Sequence, residues 1–564
     1  MTTTSTVATN GSSTYLSGAV SGIDTDSLVT AAVAQKTARA DTLDAKVTAN
    51  TKKISSYQNL QTLLNAVTSS MSTLKSVAYT SLAGASGNAF DEKEAYLTAS
   101  DGSTATNVLA VSADDTATAA SYTVTVSQLA KAMKVASSSQ DDATALGASG
   151  DMTIGVEGGT TATIAVTSDM TMSDLATAIN AQSSTTGVNA TLLKATDGDY
   201  RLVLSASDTD KDIQITDASG AAQTIGLTDS DGAFSNVLQA AQPAIATIDG
   251  VQVTSSSNQL TDTIPGLSIS LQQVTTSGTS ITLDIEPNYS DIKTAVTGFV
   301  TAYNNLRTFV DTNSTVASDG TVSDDAVLFA DSLLRGVTKQ LSDVLGKTVA
   351  SGDSGTNLLA SLGVTLNSSN QLELSDEDTL DNLLLENMDS VRDFFESSFT
   401  TSNSALKLLK NSSTASLDFT MDVNVTDGAI SDVTVNGQSG LFTVSGSRIV
   451  GATGTIYEGL SFALVASQST SIDVSIKQGF ADLVTNTLNA YADTTSGSIQ
   501  QEIESLNTTD SDLSDKSKTI RSDAETYRTK LIQKYSNMEQ ELYAAQVLQQ
   551  QIKAILGNTS DDSN

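Results

Sequence analysis

The 564-residue sequence contains no cysteine, no histidine and no tryptophan, and only three prolines. Without cysteine and histidine the chain can form no disulfide, no thiolate or imidazole metal site, no Cys nucleophile and no Ser-His-Asp triad. Aromatic residues make up only 4% of the sequence, so we expect hydrophobic cores built mainly from Leu, Ile, Val and Ala. The composition therefore excludes several large classes of enzyme.

Basic residues are also scarce, with 29 Lys and Arg against 64 Asp and Glu and a net charge of −35. Nucleic acids and anionic lipids are poor partners for such a chain, because binding them requires cationic side chains. No run of about eighteen apolar residues is present, so no membrane-spanning helix is predicted. The N-terminal segment lacks the basic start and apolar core of a secretory signal, so we expect any export to use another route.

Two long stretches, one towards each end of the chain, carry apolar residues at steps of 3, 4 and 7. Such steps keep one apolar stripe on one face of a helix, as in a coiled-coil seam. Two ordinary amphipathic helices packed on a core are the alternative, but both stretches are longer than most globular helices. We expect two helical arms that pair with each other and with neighbouring copies, with Ser517 and Lys534 as polar interruptions. The predicted contact residues are Leu43, Val47, Ile54, Leu64, Val67, Met71, Leu513, Ile520, Leu531, Met538, Leu542 and Ile552.

The sequence between the arms alternates in character. Residues 95–290 are rich in Thr, Ser, Gly and Val with strand-like alternation, and all three prolines lie between 243 and 287. Helical spacing returns after Pro287 and continues through a block from Leu380 to Phe395, and residues 413–476 are again β-like. The order helix, β, helix, β, helix predicts an α+β fold with long terminal coiled-coil-like helices and a helical stalk domain carrying inserted β-rich head domains.

Ordered segments resemble the flagellar hook-associated protein 2 family, the flagellar filament cap proteins. The opening Ser21-Gly22-Ile23-Asp24-Thr25-Asp26-Ser27-Leu28-Val29 is similar to the opening motif of the family, and Tyr122 to Ala130 is similar to its first head strand. Residues 153–204, with Leu175 to Asn180 and Gly187 to Ala190, resemble the insertion motif shared by flagellin and hook-associated proteins. Later segments that resemble the family are Ile248-Asp249-Gly250-Val251, Ile264 to Leu267, Phe299 to Asn304, Leu362-Gly363-Val364, Leu372 to Leu374, Leu380 to Phe395, Gly451 and Glu458 to Leu460.

The resemblance implies a secreted structural protein at the distal tip of the bacterial flagellar filament. Its partners would be further copies of itself in a ring, flagellin, the hook-filament junction proteins, and a cytoplasmic export chaperone on the C-terminal arm. The cap would promote folding and insertion of exported flagellin and prevent its loss, with no cofactor and no metal. The domain limits then expected are a disordered N-terminus at 1–20, an N-terminal arm at 21–80, an inner head at 90–140 with return strands at 241–288, an outer head at 141–240, a helical stalk at 289–412, an additional β-rich insertion at 413–476, a C-terminal arm at 477–557 and a disordered tail at 558–564.

Other functions remain as alternatives at this point. A flagellin-like or hook-filament junction subunit, also a component of cell motility, would carry paired terminal helices too. An outward-facing head could instead act in adhesion, as an adhesin. An enzyme with two catalytic carboxylates would lack the tryptophan platforms typical of sugar sites. Asp208, Asp210 and Asp212 alternate as in a calcium loop, but Ile213 and Ser219 replace the Gly and Glu that the loop needs. Solvated acidic turns are the simpler interpretation.

Overall fold

The computed structural model of the chain describes residues 6–10, 13–17, 20–76, 87–141, 143–349 and 356–558. These residues form an α+β fold, as the sequence predicts, and divide into two units. The first unit consists of Met1–Ser81 with Lys293–Asn564, and the second consists of Leu82–Ile292. Among the described helices, none combines the length and the hydropathy needed to cross a lipid bilayer.

The chain begins with a hairpin in which β1 (Thr6–Asn10) pairs antiparallel with β2 (Ser13–Ser17). The expectation of disorder over 1–20 is therefore wrong for these strands, whose Thr, Val and Tyr residues favour extended backbone. Residues 1–5, 11–12 and 18–19 lie outside the described part of the chain. Helix α1 (Thr25–Ser70) follows, and the carboxylate of Asp24 caps it by accepting a hydrogen bond from the N–H of Ser27 at 3.0 Å.

The second unit consists mainly of antiparallel strands. In chain order its elements are β3 (Lys93–Ala99), β4 (Leu109–Ala113), β5 (Ala120–Gln128), β6 (Lys134–Ala136), β7 (Gly150–Val156), β8 (Ala162–Val166), α2 (Met172–Asn180), α3 (Ser183–Thr186), β9 (Val188–Thr196), β10 (Asp199–Ala206), β11 (Ile213–Asp217), α4 (Ala221–Thr224), β12 (Val237–Gln239), β13 (Ala244–Ile248), β14 (Val251–Ser255), β15 (Gln259–Thr261), β16 (Leu267–Leu271) and β17 (Ile281–Pro287).

Two hydrophobic cores divide this unit. One core lies with the five-stranded sheet β14-β13-β5-β17-β3 and the three-stranded sheet β15-β16-β4. The other lies with the sheets β12-β6-β10-β9 and β11-β7-β8. Ala130 packs in the first core, whereas Met133 and Val135 pack in the second. The second core therefore begins ahead of the limit at 141 that the sequence suggested.

The segment that resembles the insertion motif includes α2 and the edge strand β9. Thr171 and Asp174 form a capping box at the start of α2. At its end, the side chain of Asn180 accepts a hydrogen bond from the N–H of Ala190 and donates one to its carbonyl, both at 2.8 Å. Asn180 thus stands in for a neighbouring strand and protects part of the free edge of β9.

After the second unit the chain returns to helices. Helix α5 (Tyr289–Ser314) leads to α6 (Ser332–Leu345), the short strands β18 (Val364–Leu366) and β19 (Leu372–Leu374), α7 (Glu377–Glu386) and α8 (Met388–Phe395). The helix expected from 380 to 395 is interrupted at Asn387, whose φ of −153° and ψ of 57° are not helical. Phe299 and Phe394 pack against Phe480 with ring centroids 5.7 and 5.2 Å apart, so aromatic side chains contribute more to this core than composition suggested.

An eight-stranded β insertion follows α8. Its strands are β20 (Ser398–Thr401), β21 (Lys407–Asn411), β22 (Leu417–Thr426), β23 (Ala429–Val435), β24 (Phe442–Ser445), β25 (Arg448–Gly451), β26 (Leu460–Ala463) and β27 (Thr470–Lys477), in the sheets β20-β27-β22-β23 and β21-β26-β25-β24. The insertion starts before residue 413, because β20 pairs with β27 and Leu406 and Leu408 lie in its core. The helical stalk expected to reach 412 therefore ends at Phe395.

The chain ends in two helices, α9 (Phe480–Ala492) and α10 (Ser498–Asn558), where the sequence suggested one arm over 477–557. The break is a turn in which the carboxylate of Asp493 accepts hydrogen bonds from the N–H groups of Thr495 and Ser496 at 2.9 and 2.7 Å. Asn558 ends α10. The rest of the expected disordered tail, 559–564, lies outside the described residues.

Candidate functional site

Helices α1 and α10 lie side by side and run antiparallel. The amide of Asn50 donates to Asp510 at 2.7 Å, and the ammonium of Lys36 lies 4.6 Å from the ring centroid of Tyr527. Contacts that move towards the start of α1 thus move towards the end of α10. This helix pair holds all twelve predicted contact residues except Met71, which directly follows α1.

The predicted stripe residues differ in burial along the pair. Leu64, Val67 and Met71, near the end of α1, are fully buried. Seven others are partly covered, namely Leu43, Val47, Ile54, Leu513, Ile520, Leu531 and Met538. Leu542 and Ile552, near the end of α10, are 38% and 48% exposed. The stripe is therefore covered at one end and open at the other.

A polar contact crosses the middle of the helix pair. Arg521 donates to the carboxylates of Asp41 and Asp44 at 2.7 and 2.6 Å. Hydrogen bonds from Ser517 and Arg521 lower the pKa of Asp44. Ser517, predicted as a polar interruption of the stripe, is only 3% exposed and lies in the buried seam. Lys534 is exposed.

Glu539 fixes the register where α1 begins, and the sequence analysis missed it. Its carboxylate accepts hydrogen bonds from the N–H groups of Val20 and Ser21 at 2.8 and 3.2 Å, and from the hydroxyl of Ser21. The side chain is 4% exposed. Burial raises the pKa of Glu539, but the hydrogen bonds from Ser21 and Val20 outweigh it, so the pKa lies below its ordinary value. Its position directly after stripe residue Met538 was the available signal.

Two buried polar contacts anchor α1 to the body of the first unit. The hydroxyl of Tyr57 donates to Asp331, the residue that caps α6, at 2.7 Å. Burial and the adjacent Asp331 raise the pKa of the Tyr57 hydroxyl. The amide of Gln61 donates to the carbonyl of Ala492 at the end of α9, at 3.1 Å. These bonds place the arms relative to α6 and α9.

Beyond Glu539, α10 presents apolar side chains to solvent. Tyr543 and Leu548 are 62% and 57% exposed, alongside Leu542 and Ile552. We call these four residues the α10 end surface. Exposed apolar side chains that lie close together often mark a surface that binds another molecule.

Among the described residues, no group of three or more acidic side chains is arranged to hold a metal ion. A groove of about 560 Å³ lies on the β insertion and is lined by Asp418, Thr420, Asp473 and Ser475. Its polar groups bond one another, as Thr420 does to Asp473 at 2.7 Å, and Asp418 also pairs with Lys477 at 2.7 Å. The groove is therefore a satisfied sheet surface.

Family models match most of the chain. The model of the flagellar hook-associated protein 2 C-terminus matches residues 241–546, and that of the N-terminus matches residues 21–133. The chain belongs to the flagellar hook-associated protein 2 family. A model of the flagellin hook IN motif matches residues 151–208, which hold α2 and the strands from β8 to β10. The N- and C-terminal hook-associated protein 2 models between them include all of α1 and most of α10.

Relatives in this family are distantly similar. The B-type flagellar hook-associated protein 2 of Pseudomonas aeruginosa is 31% identical over 310 residues, which cover 51% of this chain and 64% of that protein. The lateral flagellar hook-associated protein 2 of Vibrio parahaemolyticus is 30% identical over 282 residues, covering 47% and 61%. The chain thus spans less than two thirds of the length of either relative. The crystal structure of the flagellar cap protein FliD D1-D2-D3 domains from Escherichia coli has 26% identity and a TM-score of 0.46, covering 61% of this chain and 90% of that one.

Proposed function

We propose that the chain is a structural cap at the distal tip of the bacterial flagellar filament, where it promotes folding and insertion of exported flagellin and prevents its loss. Membership of the hook-associated protein 2 family supports this proposal. The family is a structural family of the flagellum, and the proposed action is non-covalent. It needs no catalytic residue, cofactor or metal.

The main observation behind the proposal is that burial of the apolar stripe varies along helices α1 and α10. Most of the seam between the two helices is buried within one chain, whereas the α10 end surface is exposed to solvent. Burying an exposed Leu or Ile is worth about 1.5–3 kcal/mol, so this surface is a favourable binding site for apolar partners. In our proposal it contacts flagellin and the hook-filament junction proteins at the tip. A cytoplasmic export chaperone covers it before secretion.

In the proposed assembly the chain forms a ring of identical copies, with coiled-coil arms as legs and the β-rich domains as heads. The inner head comprises β3–β5 and β13–β17, the outer head β6–β12, and the β insertion adds a further head. Family membership and the long antiparallel helix pair support this arrangement.

Substitution of the α10 end surface tests the proposal. Replacing Leu542, Leu548 and Ile552 by Ser in the native flagellated host should shorten filaments and release flagellin monomers into the medium. Filament length is measured by electron microscopy and released flagellin by immunoblotting. The matched control replaces Ile456 and Val465, which are 65% and 86% exposed on the β insertion, by Ser. Full-length filaments in the triple variant, with the protein secreted, would refute the role of this surface.

Removing residues 500–564 tests the arms as a whole. The second unit and the β insertion should stay folded, because their cores contain no residue of this segment. Filament elongation should stop. A flagellin-like or junction subunit is the rival function, and electron microscopy of the purified full chain separates the two. Small rings support a cap, whereas long filaments support a flagellin-like subunit.

A further inference from the structure

The neighbouring copy in a ring needs a surface other than the stripe between α1 and α10. That stripe is largely covered within one chain, since the two helices pack along each other and share the contacts of Asn50, Asp44 and Lys36. An inference about the ring surface rests on the proposed function and deepens it. Such a surface would be exposed and would carry charges that form no ion pair among the described residues of the chain.

Helix α1 has such a surface, a row of basic side chains that lies apart from the seam. Arg39, Lys46 and Lys53 follow one another at steps of seven and so form one row along the helix. Each lies one position before the seam residues Ala40, Val47 and Ile54, hence about 100° around the helix from them. Arg39 and Lys46 are exposed, and none of the three has a carboxylate within ion-pair distance among the described residues.

These unpaired cations are unusual in a chain with a net charge of −35. Helices α1 and α10 together contain as many basic as acidic residues, so the rest of the chain carries the negative charge. Leu28, at the same face and 48% exposed, adds an apolar contact near one end of the row. The row and Leu28 form what we call the basic face of α1.

A complementary surface exists on α7 and α8 of the same unit. Asp378, Glu386, Asp389 and Asp393 are exposed and form no ion pair with any described residue. Arg392 is the only basic residue between positions 376 and 396. Leu385 lies beside these carboxylates and is 66% exposed, which provides an apolar contact within a charged rim. We call this set the acidic face of α7–α8.

We propose that the basic face of α1 in one copy docks on the acidic face of α7–α8 in the next copy. Among the described residues no ion pair joins the two faces, so each is available to a neighbouring copy. Two different complementary patches on one body produce a head-to-tail contact, which closes into a ring when the rotation between copies permits. Opposite charge also offsets the mutual repulsion of copies that are each strongly negative.

Charge reversal tests the proposal in purified full-length protein. One variant carries Arg39→Glu and Lys46→Glu on the basic face. The other carries Glu386→Lys and Asp393→Lys, positions at the last turns of α7 and α8 where cations favour the helix. Sedimentation velocity at 150 mM salt should show self-association at least about tenfold weaker in each variant than in the natural protein. Circular dichroism verifies that both variants are folded.

Mixing the two reversed variants gives the decisive result. Each variant alone opposes like charges, whereas an equimolar mixture places opposite charges at every contact between unlike copies and should recover association. The control Lys131→Glu with Lys134→Glu makes the same change in net charge as Arg39→Glu with Lys46→Glu, but on the second unit, and should associate within about twofold of the natural protein. Unchanged association of either variant alone, or no recovery on mixing, would refute the contact between the two faces without contradicting the proposed cap function. Absence of any self-association in the natural protein would overturn both this interface and the proposed ring.

Discussion

Glu539 shows how one carboxylate can hold two distant parts of the chain in register. It bonds the backbone of Val20 and Ser21, the residues just ahead of the cap of α1, although these positions are more than 500 residues apart in sequence. Positive φ at Gly22 (71°) lets the backbone turn at this point, a conformation that favours glycine. The bonds join the beginning of α1 to α10 just before the exposed α10 end surface.

Acidic pH should weaken this contact. A carboxyl group whose pKa is lower in the folded state stabilises that state fully above its unfolded pKa of about 4.3, and the contribution is lost as pH falls through the folded pKa. Replacing Glu539 by Gln should lower the free energy of unfolding on the order of 1 kcal/mol at pH 6. The difference should shrink towards zero as the pH falls through the lowered pKa of Glu539.

Thermal unfolding followed by the helical circular dichroism signal at several pH values measures this effect. Glu541→Gln is the matched control, because Glu541 is an exposed neighbour on the same helix with no ion pair among the described residues. Its effect should be small at every pH. An equal loss in both variants, or a Glu539→Gln effect that persists undiminished at low pH, would contradict the assigned role of the carboxylate.

At the scale of elements, the pair of helices α1 and α10 has apolar residues that are buried at one end and exposed to solvent at the other. Leu64 is fully buried near the end of α1, whereas Leu542 is 38% exposed near the end of α10. Leu64→Ala should therefore lower the free energy of unfolding by about 2–5 kcal/mol, the usual cost of a cavity in a core. Leu542→Ala should change it by less than about 0.5 kcal/mol, as surface substitutions do.

Denaturant unfolding of both variants measures the difference, with filament length in the host as the second measurement. In our proposal Leu542→Ala reduces filament length at unchanged stability. Leu64→Ala acts through stability. Similar unfolding midpoints for the two variants would contradict the difference in burial between Leu64 and Leu542 that the structure describes.

The periodicity of apolar residues predicted both long helices, because a stripe is a local property of a sequence. It could not predict the contacts of Glu539 or Tyr57, which depend on residues hundreds of positions away. The break at Asn387 was also missed, since a single non-helical residue leaves the apolar spacing on either side intact. Likewise the sequence analysis places Leu406 and Leu408 in a helical stalk, because local sequence patterns do not show that β21 pairs with the distant strand β26.

At the scale of the whole molecule, charge is divided unevenly between the arm helices and the rest. The net charge of −35 repels neighbouring copies over long distances, whereas the proposed contact between α1 and α7–α8 attracts them at short distance. Salt screens the two effects in different ranges. The screening length falls from about 30 Å at 0.01 M to about 8 Å at 0.15 M and about 3 Å at 1 M.

Self-association should therefore rise and then fall as salt increases. Between about 0.01 and 0.15 M, screening removes the long-range repulsion first and association strengthens; towards about 1 M, the close ion pairs are screened too and association weakens. Sedimentation velocity across this range measures both the rise and the fall of self-association. In the variant with Arg39→Glu and Lys46→Glu the fall at high salt should disappear, because only repulsion remains to be screened. An equally large decrease of self-association at high salt in that variant would mean that the attraction between copies arises from charges other than those on the basic face of α1.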